Sequence, residues 1–112
     1  MRLRPFAIPG RALPVLGLAL LAAQPSGAQT PDAALAARNL AATCANCHGT
    51  NGQATGVMPA LAGMPADRML ALLAAYKSGA APATVMHQIT KGYSDDQLRA
   101  IASHFAAQKP RP

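Results

Sequence analysis

Cys44-Ala45-Asn46-Cys47-His48 is the stretch on which the rest of this sequence turns. C-x-x-C-H is the attachment signature of a c-type haem. Two thiols about one helical turn apart can each add across a haem vinyl group, and the adjacent imidazole then falls beneath the iron. Three other readings compete. A thioredoxin-like C-x-x-C belongs in a βαβ setting, and no strand pattern follows residue 28. A zinc site could draw on Cys44, Cys47, His48 and one of His87 or His104, but a lone C-x-x-C with His directly adjacent matches zinc spacings poorly. A Cys44–Cys47 disulfide would close too short a loop to staple a fold. The spacing favours haem, with Cys44 and Cys47 as thioether donors and His48 as the ligand on one face of the iron.

Upstream of the motif, Arg2, Arg4 and Arg11 precede the apolar run Ala12–Ala23, and Ser26-Gly27-Ala28 follows it. This is the layout of a secretory signal peptide cleaved after Ala28, and the run falls short of the roughly 20 residues that span a bilayer. Residues 1–28 are therefore expected to be a leader and 29–112 one exported, periplasmic domain with no membrane span. That compartment suits haem attachment, which bacteria carry out beyond the cytoplasm. The whole chain of 112 residues carries +6, but residues 29–112 keep only seven basic and four acidic side chains, a net +3. Those Lys and Arg residues are scattered singly, with no aromatics interleaved, so nucleic acid is not an expected partner. Aromatics make up 4% of the sequence and Trp is absent. A domain this small buries little apolar surface by itself, and a haem would supply what is missing.

Downstream, the punctuation predicts an all-α fold of four short helices. Thr30-Pro31 opens the first, which runs through Ala-rich sequence to about Asn46. Residues 49–66, with four Gly and two Pro, read as an irregular loop. Asp67 is expected to cap a second helix with the stripe Met69, Leu72, Leu73 and Tyr76, stopped by a left-handed Gly79. Pro82 is expected to start a third carrying Val85, Met86 and Ile89. Ser94-Asp95-Asp96-Gln97 reads as a capping box for the last helix, with the stripe Leu98, Ile101, Ala102 and Phe105. Ala36 and Leu40 are the residues expected to meet Ile101 and Phe105. The tail after Ala107 is expected to fray.

The second face of the iron needs a ligand or an open site. Met58, Met64, Met69, Met86, His87 and His104 are the residue types available. Met69 fits its helix stripe and reads as core filler. Met58 and Met64 lie in the loop, close in sequence to His48. Met86 stands 38 residues beyond His48, enough chain to wrap the haem edge, and is the expected distal ligand. On a helix His87 would point about 100° away from it. His/Met ligation fills the iron's coordination sphere and raises its potential, which suits electron transfer and leaves no vacant position for bond chemistry.

From Leu40 to Gln108 the chain resembles class I cytochromes c. LAATCANCHGTNG, MPALAGMP and ATVMHQITKGYSDDQLRAIASHFAAQ are similar to the small cytochrome subunit of flavocytochrome c sulfide dehydrogenases. The resemblance implies covalent haem c on Cys44 and Cys47, axial His48 and Met86, and a Pro59 carbonyl that orients His48. It implies a flavoprotein partner whose FAD oxidises sulfide and passes electrons to the haem, with a soluble cytochrome or similar acceptor downstream. No catalytic acid, base or nucleophile is implied on this chain. Some family members carry two haem domains, whereas a single C-x-x-C-H is present here. Related dihaem carriers have Gln where this chain has Met64. The alternative is a free cytochrome shuttling electrons between respiratory complexes.

Overall fold

The computed structural model describes residues 30–112, so the expected leader lies outside the described residues. Four helices follow in order: α1 Pro31–His48, α2 Ala66–Ser78, α3 Met86–Lys91 and α4 Asp95–Ala106, with a single 3-10 turn at Thr50–Gly52. No strand occurs among the described residues. The fold is all-α, as the punctuation predicts.

Thr30 caps α1, its hydroxyl accepting from the Ala33 N–H at 3.3 Å, and Pro31 takes a first-turn position where no N–H is needed. The helix runs two residues past its expected end, through His48, before Gly49 at φ 77° turns the chain. A side chain at Gly49 would collide with the Gln53 carbonyl, so the sharp exit after the histidine requires glycine. Gly79 ends α2 in the left-handed region, φ 80° and ψ 7°, as expected.

The last helix follows its sequence most closely. The Ser94 hydroxyl accepts from the Gln97 N–H at 3.2 Å, and the Gln97 side chain accepts from the Ser94 N–H at 2.8 Å. This is the reciprocal capping box, with Asp95 and Asp96 against the positive end of the helix dipole. Leu98, Ile101, Ala102 and Phe105 are all buried. They pack with Ala41 of α1 and Met69 of α2 into one small core, which Leu40, Leu61, Met64, Leu70 and Leu73 partly cover. α1 lies across α4, α2 packs on α4, and α3 packs on α2.

Five expectations need correction. Ala37 and Ala41 are the buried alanines of α1, while Ala36 is exposed. Leu40 does flank the core. An Ala-rich helix offers no contrast of size or polarity to set its phase, and the expected phase is one residue off. Asp67 does not cap α2; Pro65 stands at the cap without a side-chain bond, and Asp67 lies inside the first turn. There its charge still opposes the dipole. Within α2 the core-facing residues are Met69, Leu70 and Leu73, whereas Leu72 is exposed. Pro82 does not start α3: residues 80–85 are irregular and the helix begins at Met86. The tail is also not loose, because Gln53 holds the Lys109 carbonyl and receives the Arg111 N–H.

Lys77 fastens the end of α2 to the start of α4, donating to the Tyr93 carbonyl at 2.9 Å and to Asp95 at 2.8 Å. Phe105 is 1% exposed and supplies the largest side chain at the α1–α4 crossing. Phe105→Ala is expected to cost about 3–5 kcal/mol through lost burial and an unfilled cavity. Removing the cap with Ser94→Ala is expected to cost about 1 kcal/mol. Denaturant midpoints of the haem-loaded protein check both, and the order of the two losses is the decisive point.

Candidate haem site

Cys44, Cys47 and His48 occupy the C-terminal end of α1, where Cys44 packs against the core. Both cysteines are free thiols, Cys44 half-buried and Cys47 exposed. Burial pushes the Cys44 thiol above its ordinary value, partly offset by a backbone hydrogen bond. A reactive thioredoxin-like cysteine needs the opposite shift, toward thiolate. Among the described residues no three His, Cys, Asp or Glu side chains gather as a group that could hold a metal ion.

His48 is 7% exposed, one of only two buried polar side chains among the described residues. Its Nδ1 lies 2.7 Å from the Pro59 carbonyl oxygen. A carbonyl only accepts, so the bond places a proton on Nδ1 and leaves the Nε2 lone pair free for a metal. The loop from Gly49 to Pro65 brings Pro59 back over the imidazole. It is braced by the Gly52 carbonyl, which accepts from the Leu61 and Ala62 N–H groups at 2.9 and 3.1 Å. Two free thiols three residues apart, followed at once by an imidazole with a fixed tautomer, are the donor set that covalent haem requires. The residues present fit the group.

The remaining sulfur and imidazole side chains separate by environment. Met69 is buried at 3% in the core, as its stripe predicts. Met64 packs against the same core. Met58 is exposed on the loop, and Met86 is half-buried at the first position of α3. His87 follows it, half-buried. His104 stands edge-on to Phe105 at 5.3 Å between ring centroids. With Arg38, Thr50 and Asn51 it lines a groove of about 180 Å³ between α1 and α4.

Sequence reasoning did not single out Thr90. It is 1% exposed, and its hydroxyl donates to the Met86 carbonyl at 2.8 Å, back across the first turn of α3, which Met86 begins. A threonine four residues after a methionine carries no signal by itself; only the burial reveals it.

The fold and site together define a small all-helical haem-carrying domain. The cytochrome c family model matches residues 33–108, most of the chain. The chain belongs to the cytochrome c family, and with that membership come covalently bound haem c and electron transfer as its role. The cytochrome subunit of sulfide dehydrogenase from Chlorobaculum tepidum is 35% identical over 66 residues, 59% of this chain and 60% of that protein. Cytochrome c-553 of Desulfomicrobium norvegicum is 32% identical over 74 residues, 63% of this chain and 92% of that protein. A thiosulfate dehydrogenase electron acceptor from Stutzerimonas stutzeri is 37% identical over 67 residues, 56% of this chain and 31% of that protein. The match thus spans less than two thirds of the sulfide dehydrogenase subunit.

His104 yields a pH prediction. Burial first, and the positive charge of Arg38 second, lower its pKa from the ordinary histidine value. The folded protein therefore favours neutral His104. Its contribution to stability is present above the unfolded pKa and is lost as pH falls through the folded one. NMR titration of the ring is expected to place its midpoint below that of an unfolded histidine. Arg38→Gln is expected to return only part of the shift, because burial remains.

Proposed function

We propose that residues 29–112 are an exported, periplasmic monohaem subunit of a flavocytochrome c sulfide dehydrogenase, with residues 1–28 as the cleaved leader. Cys44 and Cys47 would hold haem c by thioethers, and His48 and Met86 would ligate its iron. The observation that carries the site assignment is the His48 Nδ1 to Pro59 bond, because it presents Nε2 from the turn that bears both thiols. Met86 is preferred over Met58 because it is half-buried on a turn held by Thr90, whereas Met58 lies on the loop that already serves the His48 side.

The haem supplies a one-electron couple. What this chain contributes is ligation, orientation and exclusion of water. Pro59 fixes the imidazole plane and tautomer, and a thioether sulfur from Met86 stabilises the reduced iron. With His48 and Met86 both on the iron of a bound haem, no position would be left there for a small molecule, which suits electron transfer. Outside the core, Val57, Met58, Leu72 and Val85 are exposed apolar side chains on the loop, α2 and the approach to α3. Apolar surface of this kind suits a lasting partner subunit, where a shuttle relies on charged, salt-sensitive contacts. That partner is a flavoprotein whose FAD takes electrons from sulfide and hands them on singly, and a soluble cytochrome or similar acceptor collects them.

A second reading has its own support. The match to the Desulfomicrobium norvegicum cytochrome covers 92% of that protein, so a relative consisting of little more than this domain exists. On that reading the chain is a free carrier. Among the described residues no helix is long and apolar enough to cross a membrane, which is compatible with both.

Gentle size-exclusion of the red protein from native periplasm separates the two. Co-elution of haem and flavin absorbance well above the mass of this chain, with sulfide-dependent haem reduction in that peak, is the expected result. A flavin-free peak at monomer mass would leave the free carrier. For the site, Met86→Ala is expected to abolish the far-red sulfur-to-iron band and lower the potential, and Cys44→Ser or Cys47→Ser to impair covalent attachment. Retention of the far-red band in the Met86 variant would shift the assignment to Met58.

A further inference from the structure

The C-terminal tail is tied to the loop that carries Pro59 by one side chain. Gln53 Nε2 donates to the Lys109 carbonyl, and the Arg111 N–H donates to Gln53 Oε1 at 2.9 Å. The amide is thus used at both ends, across more than fifty residues of chain. Nearby, the loop is held to α4 by the Gly63 N–H, which donates to the Phe105 carbonyl at 2.9 Å, and within the C-terminal segment itself Gln108 Nε2 donates to the His104 carbonyl at 2.9 Å. Pro110 lies so close over Gly63 that a Cβ there would meet Pro110 Cδ at 2.8 Å.

The path from this clip to His48 is short. Gln53 follows Gly52, whose carbonyl holds both the Leu61 and Ala62 N–H groups. Two residues before Leu61 is Pro59, whose carbonyl holds His48 Nδ1 at 2.7 Å. The Gly52 bonds fix the return strand of the loop relative to its outgoing strand, and the Gln53 clip fixes both relative to α4 and the tail. Displacement of Gln53 therefore displaces the oxygen that receives the imidazole proton.

We propose that Gln53 is a positioning residue for His48. By clipping residues 109–111 over the loop, it sets the strength of the Pro59–His48 hydrogen bond, and through it the basicity of Nε2 toward iron. The proposal rests on His48 being the iron ligand. A stronger bond at Nδ1 makes the ring a better electron donor and favours the oxidised metal. A looser bond does the reverse and raises the reduction potential.

The test compares the haem-loaded parent with Gln53→Ala and with a chain ending at Gln108. A third variant, Gln53→Glu, keeps an acceptor for the Arg111 N–H but loses the donor to Lys109. In the reduced protein, NMR follows exchange of the His48 Nδ1 proton, and a redox titration gives the potential. Both the alanine and the truncated variants are expected to exchange that proton at least tenfold faster and to have a higher potential, with axial ligation intact. The glutamate variant is expected to fall between them and the parent. Unchanged exchange and potential, with only a lower melting temperature, would overturn the proposal and leave Gln53 an ordinary surface clip. A parent whose spectra show His48 off the iron would instead overturn the ligand assignment, and the proposal with it.

Discussion

The close crossing of α1 and α4 is the constraint from which the rest of this structure follows. Ala37 and Ala41 on one helix, and Ala102 on the other, are buried to 2% exposure or less. Small side chains at these positions let Phe105 and Ile101 reach the facing helix and fill the space between the two. The crossing fixes the direction of the last turn of α1, and that turn carries Cys44, Cys47 and His48. It also fixes the end of α4, whose Phe105 carbonyl anchors the returning loop at Gly63. Thiols, imidazole and the loop over them are therefore located by a core of very few side chains. A larger substitution at Ala41 or Ala102 would shift all three together.

Electrostatics contribute little to holding this arrangement. Lys77–Asp95 and Arg99–Asp96 are the ion pairs among the described residues, both on the surface. Exposed pairs of this kind are screened by water and contribute little to stability. Lys77 pulls the Asp95 carboxyl below the ordinary aspartate value, chiefly through the hydrogen bond and then through its charge. Asp95 also sits at the first turn of α4, so the pair fastens the corner between α2 and α4. Its use is to set the approach of the chain into the last helix, where the Lys77 bond to the Tyr93 carbonyl acts in the same direction.

How much of this could be read from the sequence depends on local contrast. α4 was legible because Ser94, Asp95, Asp96 and Gln97 carry a complete start signal and the apolar positions after them stand out from polar neighbours. α1 offered Thr30 and Pro31 at its start, and both act as expected, but its interior is alanine beside alanine. Burial there is decided by α4, and no pattern within α1 distinguishes Ala36 from Ala37. Pro82 misled for a related reason: proline suits a first helical turn but equally suits an irregular approach. The order in the tail could not be inferred from QKPRP, because the side chain that organises it is Gln53, more than fifty residues away. The motif at 44–48 stands at the other extreme, since covalent chemistry dictates its spacing and packing cannot disguise it. Pro59 lies between these cases: only the family resemblance pointed to it, and the structure supplies the 2.7 Å contact.

The methionines show why a site of this kind is only half written in local sequence. All five in the chain are chemically alike, and those at 58, 64, 69 and 86 fall among the described residues. Met69 and Met64 are taken up by the core, where an unbranched thioether fills space between α2, α4 and the loop. Met58 and Met86 remain outside that core. The two differ in support: Met58 sits on an exposed loop beside Pro59, while Met86 begins a helix whose first turn is closed by the buried Thr90 hydroxyl. A ligand that must present the same sulfur geometry in both oxidation states gains from such a rigid mount, since reorganisation opposes electron transfer. On the proposed ligation, the fixed imidazole of His48 and the turn that carries Met86 would be two answers to that one requirement. In each, a backbone carbonyl, Pro59 for His48 and Met86 for Thr90, is the point at which the fold takes hold.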